Sequence, residues 1–357
     1  MKVRVAILEN DSNYLQRVVS IFNNKFGNEL EIYSFTDISS AYRCLDDKKI
    51  DVFLANENID IDFSMIPKKC GFAYLVESSD IEKYNDKKAV CKFQRAELIY
   101  KQILSIYSEQ IPNITGIGES NNSMKTIVFS SPVGGTGTST LAAACAISIA
   151  NKGFRVLYLN LENFGDSDSF FSCDGQFDFG DVIYAIKSNK SNRKIKLQST
   201  VKQDSTGVYF YSSVRVALDM LELKADDYLT LQTELKMLGE YDYVVIDMDF
   251  PRNRKGFAFF ENCNSIVIAS DGSQVSEIKT ARAMDAIQIL DSYSEYIIQP
   301  KFSMIRNKVL GNTENRDEIR VIGEIPMYES CSPSQMARQL SLSSVFDQLL
   351  QEVMSDV

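Results

Sequence analysis

The chain of 357 residues contains no histidine and no tryptophan, and only 7 prolines and 17 glycines. Without histidine, neither a Ser-His-Asp triad nor a Cys-His pair can be built, so hydrolytic chemistry of those kinds is excluded. The 7 cysteines, Cys44, Cys70, Cys91, Cys145, Cys173, Cys263 and Cys331, are odd in number, widely spaced and free of any C-x-x-C pair. That spacing argues against zinc and iron–sulfur centres and for reduced, buried thiols. No apolar run approaches a membrane span, and the first residues read as a short strand without a cleavage site. The expected location is the cytoplasm. Positive charge is short as well: 38 Lys and Arg against 48 Asp and Glu leave a net charge of −10. Binding to nucleic acid through counterion release is disfavoured by that balance, and protein partners are favoured.

What is present points to two globular units, because a chain with 45% apolar and 24% charged residues at this length can bury two cores. The expected boundaries are 1–107, a linker over 108–123, and 124–357. The linker, from Ile111 to Ser123, is rich in Pro, Gly, Asn and Ser and shows no period.

In the first unit, strands are expected at Val3–Leu8, Leu30–Tyr33, Val52–Ala55, Gly71–Val76 and Ala89–Cys91. Helices are expected over Tyr14–Phe26, Ser39–Leu45 and Glu97–Ser105. This is βα repeated about five times, hence a doubly wound α/β layer structure. Glu9 and Asp11 follow the first strand, Asn56 ends the third, Glu77 and Ser78 follow the fourth and Lys92 ends the last. That arrangement resembles a flavodoxin-like response-regulator receiver domain. The resemblance implies a Mg²⁺-binding acidic pair at Glu9 and Asp11 and a lysine at Lys92. It also places an amide, Asn56, where the family accepts phosphate, and an amide cannot be phosphorylated; Glu57 is the fallback. The expected role is protein interaction without phosphorelay.

The second unit is organised around Phe129-Ser-Ser-Pro-Val-Gly-Gly-Thr-Gly-Thr-Ser-Thr-Leu141. An apolar run leads into small residues, and an Ala/Leu/Ile-rich helix follows at once. Glycines let the loop turn its N–H groups inward, and the helix start adds the positive end of its dipole, so the loop is expected to cradle phosphate. Gly134, Gly135, Thr136, Gly137, Thr138, Ser139 and Thr140 are the expected nucleotide-binding residues, with Ser139 placed to ligate Mg²⁺. A strict phosphate loop would need glycine at Pro132 and lysine at Thr138. Further strands are expected at Gly153–Asn163, Tyr241–Asp249, Ser265–Ser270, Phe302–Asn307 and Ile322–Pro326. Asp247 ends its apolar run as a Walker B carboxylate does, which makes it the second expected Mg²⁺ residue.

From Met124 onwards the chain resembles the MinD/ParA group of P-loop ATPases. Its fusion to a degenerate receiver resembles the TadZ/CpaE localisation proteins of the tight-adherence (Flp) pilus system. The resemblance implies ATP and Mg²⁺ as ligands, a homodimer, and protein partners in a pilus or secretion machine. It places adenine contacts at Asn307 and after Pro326, dimer contacts at Gln274–Ala281, and the catalytic candidates Asn160 and Glu162 where the group usually has Asp-x-Asp, so that Asn160 removes a carboxylate that would position the attacking water. The group's two loop lysines are replaced by Val133 and Thr138, so ATP turnover is expected to be slow or absent. Arg252, Arg254 and Lys255 are the sequence-level candidates for a replacement charge. The C-terminal stripe Val345, Phe346, Leu349, Leu350, Val353 and Met354 faces away from acidic residues without Lys or Arg, so packing is expected there rather than lipid binding. Two rival readings share these residues: an active ParA-type ATPase cycling on DNA, and an atypical response regulator.

Overall fold

A computed structural model describes residues 2–81, 83–110, 124–188, 193–309, 319–329 and 331–355. The linker expected from Ile111 to Ser123 lies outside the described residues. The chain forms two compact units, Met1–Gly116 with Ser188–Thr200, and Ile117–Lys187 with Val201–Val357.

The first unit contains β1 (Val3–Leu8), α1 (Ser12–Phe26), β2 (Leu30–Phe35), α2 (Ile38–Asp47), β3 (Val52–Asn56), β4 (Gly71–Val76), β5 (Lys83–Tyr84), β6 (Lys87–Cys91) and α3 (Ala96–Gln110). The strands form one sheet in the order β2-β1-β3-β4-β6-β5, parallel except for β5 against β6. Val-Arg-Val-Ala-Ile-Leu of β1 is buried at all but one position, as a central parallel strand must be. Asp11 starts α1 by accepting hydrogen bonds from the Asn13 and Tyr14 N–H groups at 2.9 and 3.1 Å.

The expected fivefold βα alternation is incomplete. Among the described residues a helix follows only β1, β2 and β6; a single 3₁₀ turn, Phe63–Met65, follows β3, and the β5 hairpin follows β4. These connections carry Asn, Asp and Pro without apolar periodicity, so no amphipathic helix can form. Aromatic side chains cover part of that face instead: Phe72 meets Tyr74, Phe63 and Phe53 with ring centroids 4.9, 5.1 and 5.7 Å apart.

The second unit follows with β7 (Lys125–Ser130), α4 (Thr138–Asn151), β8 (Val156–Asn160) and α5 (Phe179–Lys187). The next helix, α6 (Arg193–Thr200), packs with the first unit, where Lys196 Nζ donates to Ser105 Oγ at 3.2 Å. The chain then forms β9 (Lys202–Gln203), β10 (Tyr209–Phe210), α7 (Leu218–Leu221), α8 (Ala225–Leu238), β11 (Tyr243–Asp247), α9 (Arg254–Phe257) and β12 (Ser265–Ser270). It ends with α10 (Gln274–Asp291), β13 (Phe302–Val309), β14 (Arg320–Pro326), α11 (Pro333–Leu340) and α12 (Ser344–Ser355). The sheet order is β14-β13-β12-β7-β11-β8-β10-β9, and only β9 runs antiparallel. β7 is thus central, with β12 and β11 on either side, and the loop after it opens at the carboxyl edge where open α/β sheets bind ligands.

Helix α4 is apolar all round, with every residue from Leu141 to Ile149 buried, as its composition requires of a helix lying inside the fold. The C-terminal stripe is also core: Val345, Phe346, Leu349, Leu350 and Val353 of α12 pack with Ile322 and Ile325 of β14 and Ala337 of α11. Gly323 is required there, because a Cβ on it would stand 2.7 Å from Val345 Cγ2. No helix among the described residues is long and apolar enough to cross a membrane.

Candidate functional site

The carboxyl edge of the first sheet gathers Glu9, Asn56, Glu77 and Lys92. Lys92 Nζ lies 3.3 Å from Glu9 Oε2 and 3.4 Å from Glu77 Oε1, and Asn56 Nδ2 donates to Glu9 Oε1 at 2.6 Å. Glu9, Asn56 and Lys92 are buried. Asn56 Oδ1 is occupied by the Asn58 N–H at 2.8 Å, Glu57 accepts from the Glu77 N–H at 3.3 Å, and Asp11 serves as the cap of α1. The Tyr14 hydroxyl donates to the Lys92 carbonyl at 3.3 Å, and burial, reinforced by Glu9, holds its phenol above the usual range. The groups a phosphotransfer site would use are therefore committed to one another. An amide and an ion pair fill the place of a phosphate acceptor.

In the second unit, Gly135 and Gly137 take φ of +81° and +86°, the left-handed region that glycine enters without strain. Gly137 is the N-cap residue of α4 and no side chain caps the helix, so the N–H groups of its first turn are left for another acceptor. Thr136 is buried beneath the loop, its hydroxyl 3.1 Å from that of Thr138. Gly134, Gly135, Thr136, Gly137, Thr138, Ser139 and Thr140 lie together on this turn, and neither Val133 nor Thr138 brings a charge to it. Arg252 and Arg254, beyond β11, are solvent-exposed.

Ser139, Glu162, Asn160 and Asp247 converge beside the loop. The Ser139 hydroxyl donates to Glu162 Oε2 at 3.2 Å. Tyr158 OH and Asn160 Nδ2 donate to Asp247 Oδ2 at 3.0 and 3.2 Å, and the Glu162 N–H donates to Asn160 Oδ1 at 3.0 Å. Asp247 Oδ1 is buried and has no hydrogen-bond partner. Burial drives the Asp247 carboxyl well above the ordinary carboxylate range, and the neighbouring charge of Glu162 adds to this. Glu162 is raised too, chiefly by burial and despite the Ser139 hydrogen bond. Two carboxylates facing a hydroxyl, one with a bare buried oxygen, fit a hard divalent cation such as Mg²⁺.

A raised folded-state pKa gives stability that is full below the ordinary carboxylate value and is lost as pH climbs through the raised values. Thermal unfolding in chelator is therefore expected to show the second unit losing stability as pH rises above the ordinary carboxylate range. Asp247→Asn should flatten that slope and gain about 1 kcal/mol at the upper end, or roughly 2–4 °C in Tm.

At the far side of the loop, Asn307 Nδ2 donates to the Thr136 carbonyl at 2.8 Å and to Tyr328 OH at 3.2 Å, while its buried Oδ1 has no partner. Pro326 ends β14 opposite Val309, exposed at the same edge. Lys308 reaches the Gly135 carbonyl with its Nζ at 3.0 Å. It does so with a φ of +61°, a conformation that costs an L-residue about 1–2 kcal/mol. Sequence reasoning missed Lys308 and Tyr158, while Tyr328 falls in the segment after Pro326 that the resemblance indicated without naming it. The adjacency of a lysine to Asn307 and the i, i+2 spacing of Tyr158 and Asn160 on one strand face were the available signals.

Residues 1–108 match the family model described as the TadZ-like receiver domain. The first unit is a TadZ-like receiver domain. No curated protein matches the chain. Among solved structures, a ParA family ATPase from Chlorobium tepidum TLS aligns with a TM-score of 0.52 at 19% identity, over 66% of this chain and 99% of that one. An ATP complex of a McdA variant from Cyanothece aligns with a TM-score of 0.50 at 16% identity, over 66% of this chain and 98% of that one. The second unit thus has the ParA/MinD-type P-loop fold.

Proposed function

We propose that the protein is an ATP-binding, homodimeric localisation scaffold for a tight-adherence pilus or related secretion machine. It binds Mg²⁺ with the nucleotide and hydrolyses ATP slowly or not at all. One observation supports this reading: the start of α4 has no side-chain cap and Asp247 Oδ1 is buried without a hydrogen-bond partner, while both loop positions where the family has lysine are uncharged. Backbone N–H groups and the helix dipole suffice to hold phosphate, but transition-state charge needs an added cation. Ser139 and Asp247 would hold Mg²⁺, which supplies charge neutralisation at the phosphates. Asn160 keeps Asp247 oriented, and Asn307 Oδ1 is free to accept from an adenine amino group. The McdA structure being an ATP complex supports nucleotide binding by this fold.

The TadZ-like receiver domain, with its acceptor site closed by Glu9, Asn56 and Lys92, serves as the partner-binding module of a protein concentrated at a cell pole or at the inner membrane face through those partners. A net charge of −10 disfavours the DNA-cycling alternative.

Calorimetry with Mg-ATP and a phosphate-release assay test the reading. Binding is expected with release at background, and Ser139→Ala should weaken binding about tenfold by removing a cation ligand. Absence of binding by the intact protein would refute the nucleotide site, and brisk release would refute the scaffold.

A further inference from the structure

The uncharged loop leaves a question of electrostatics, because a nucleoside polyphosphate carries several negative charges and neither Val133 nor Thr138 answers them. Only one cation among the described hydrogen-bonding side chains touches the loop. Lys308 Nζ sits 3.0 Å from the Gly135 carbonyl. We infer that Lys308, delivered from β13, takes over the phosphate-binding role of the absent loop lysine.

The backbone is shaped for this. In a regular strand, side chains of successive residues point to opposite faces, so Lys308 would turn away from the loop that Asn307 meets. The pairing of β13 with β14 shifts register between Asn307 and Val309, and Lys308 takes a φ of +61° within that bulge. As a result both side chains lie over the same glycine: a Cβ on Gly137 would stand 2.5 Å from Asn307 Nδ2 and 3.6 Å from Lys308 Cε. A left-handed lysine is disfavoured and persists only where the surroundings impose it, which is common at ligand sites.

The charge is also available. No carboxylate pairs with Lys308 among the described residues; its contact is a neutral carbonyl of the loop itself. A phosphate oxygen is a stronger acceptor than a carbonyl, so the ammonium is expected to exchange one for the other when a nucleotide enters. Arg252 and Arg254 lie exposed after β11 and make no such contact with the loop among the described residues, and the Lys255 side chain lies outside what is described. The cation that contacts the loop comes from the strand that also carries Asn307, which ties charge recognition to base recognition.

This inference rests on the ATP-binding reading above, and the test separates the two. Mg-ATP titration by calorimetry would be run on the full-length protein and on Lys308→Met, Lys308→Arg and the double variant Lys308→Met with Thr138→Lys. Each is first checked for an unchanged circular dichroism spectrum and melting, with Lys308→Gln replacing Lys308→Met, alone and in the double variant, should the Met variant fail. Expected are a loss of about tenfold or more for Lys308→Met, retention by Lys308→Arg, and recovery when a lysine is returned at position 138. A smaller loss in Lys308→Met, an equal loss in Lys308→Arg, or no recovery in the double variant would overturn the assignment while leaving ATP binding intact. If the wild-type protein itself does not bind Mg-ATP, the nucleotide reading fails first.

Discussion

Lys92→Met is expected to destabilise the TadZ-like receiver domain by about 3–5 kcal/mol, because it strips a buried carboxylate of its counter-charge. Glu9 and Lys92 side chains are 2% and 6% exposed, so solvent cannot take over when the ammonium is removed. The Asn56 amide still donates to Glu9 Oε1, but one neutral hydrogen bond does not replace an ion pair. The second partner, Glu77, is 64% exposed and adds little. The double variant Glu9→Gln with Lys92→Met removes both charges and should recover most of the loss, since the cost lies in the orphaned charge more than in the missing attraction. Urea unfolding followed by a probe in the first unit would decide it. A loss below about 1 kcal/mol in Lys92→Met, or a double variant no better than the single, would show that the pocket is open to water. Because the same lysine, amide and glutamate fill the site of phosphotransfer, acetyl phosphate is expected to leave the protein unlabelled.

Phe346→Ala should cost the second unit about 3–5 kcal/mol. Phe346 is fully buried on α12, inside the cluster that joins β14, α11 and α4. Two ion pairs, Lys152 with Asp347 and Arg320 with Glu352, pin the outer face of the same helix. Met354, on the last turn, is 44% exposed, and Met354→Ala should fall within about 0.5 kcal/mol of the wild type. Thermal unfolding of the two variants separates a core helix from a membrane-seeking one. Equal melting temperatures, with loss of vesicle binding in Phe346→Ala, would mean that α12 leaves the fold to bind lipid.

Much of the architecture is visible in the sequence because central parallel strands are buried on both faces and must be continuous apolar runs. Val3–Leu8, Gly71–Val76 and Ser265–Ser270 coincide with observed strands for this reason. The segment from 164 to 240 is not legible in the same way. Apart from α5 and α8 its elements are short: β9 and β10 are two residues each, and α7 is a single turn. Periodicity needs length to register, and these elements are held by packing against neighbours instead. The same limit explains the missing helices after β3 and β4, where a count of strands invited a regular alternation that the polar connections do not support.

By itself the sequence determined the chemistry available: no histidine, no lysine in the phosphate loop, an amide at Asn56, a hydroxyl at Ser139 and a carboxylate at Asp247. Those are properties of residue identity and of spacing within one strand-loop-helix unit, where i and i+1 are enough to fix who is near whom. Only the tertiary structure decided which charges meet. Pairing of β11 with β8 sets Asp247 opposite Asn160, the parallel order β1-β3-β4-β6 brings Glu9 and Lys92 to one carboxyl edge where their side chains meet, and a one-residue bulge against β14 turns Lys308 onto Gly135. Each of these contacts joins residues far apart in the chain, and each depends on strand register, which a shift of one residue would reverse.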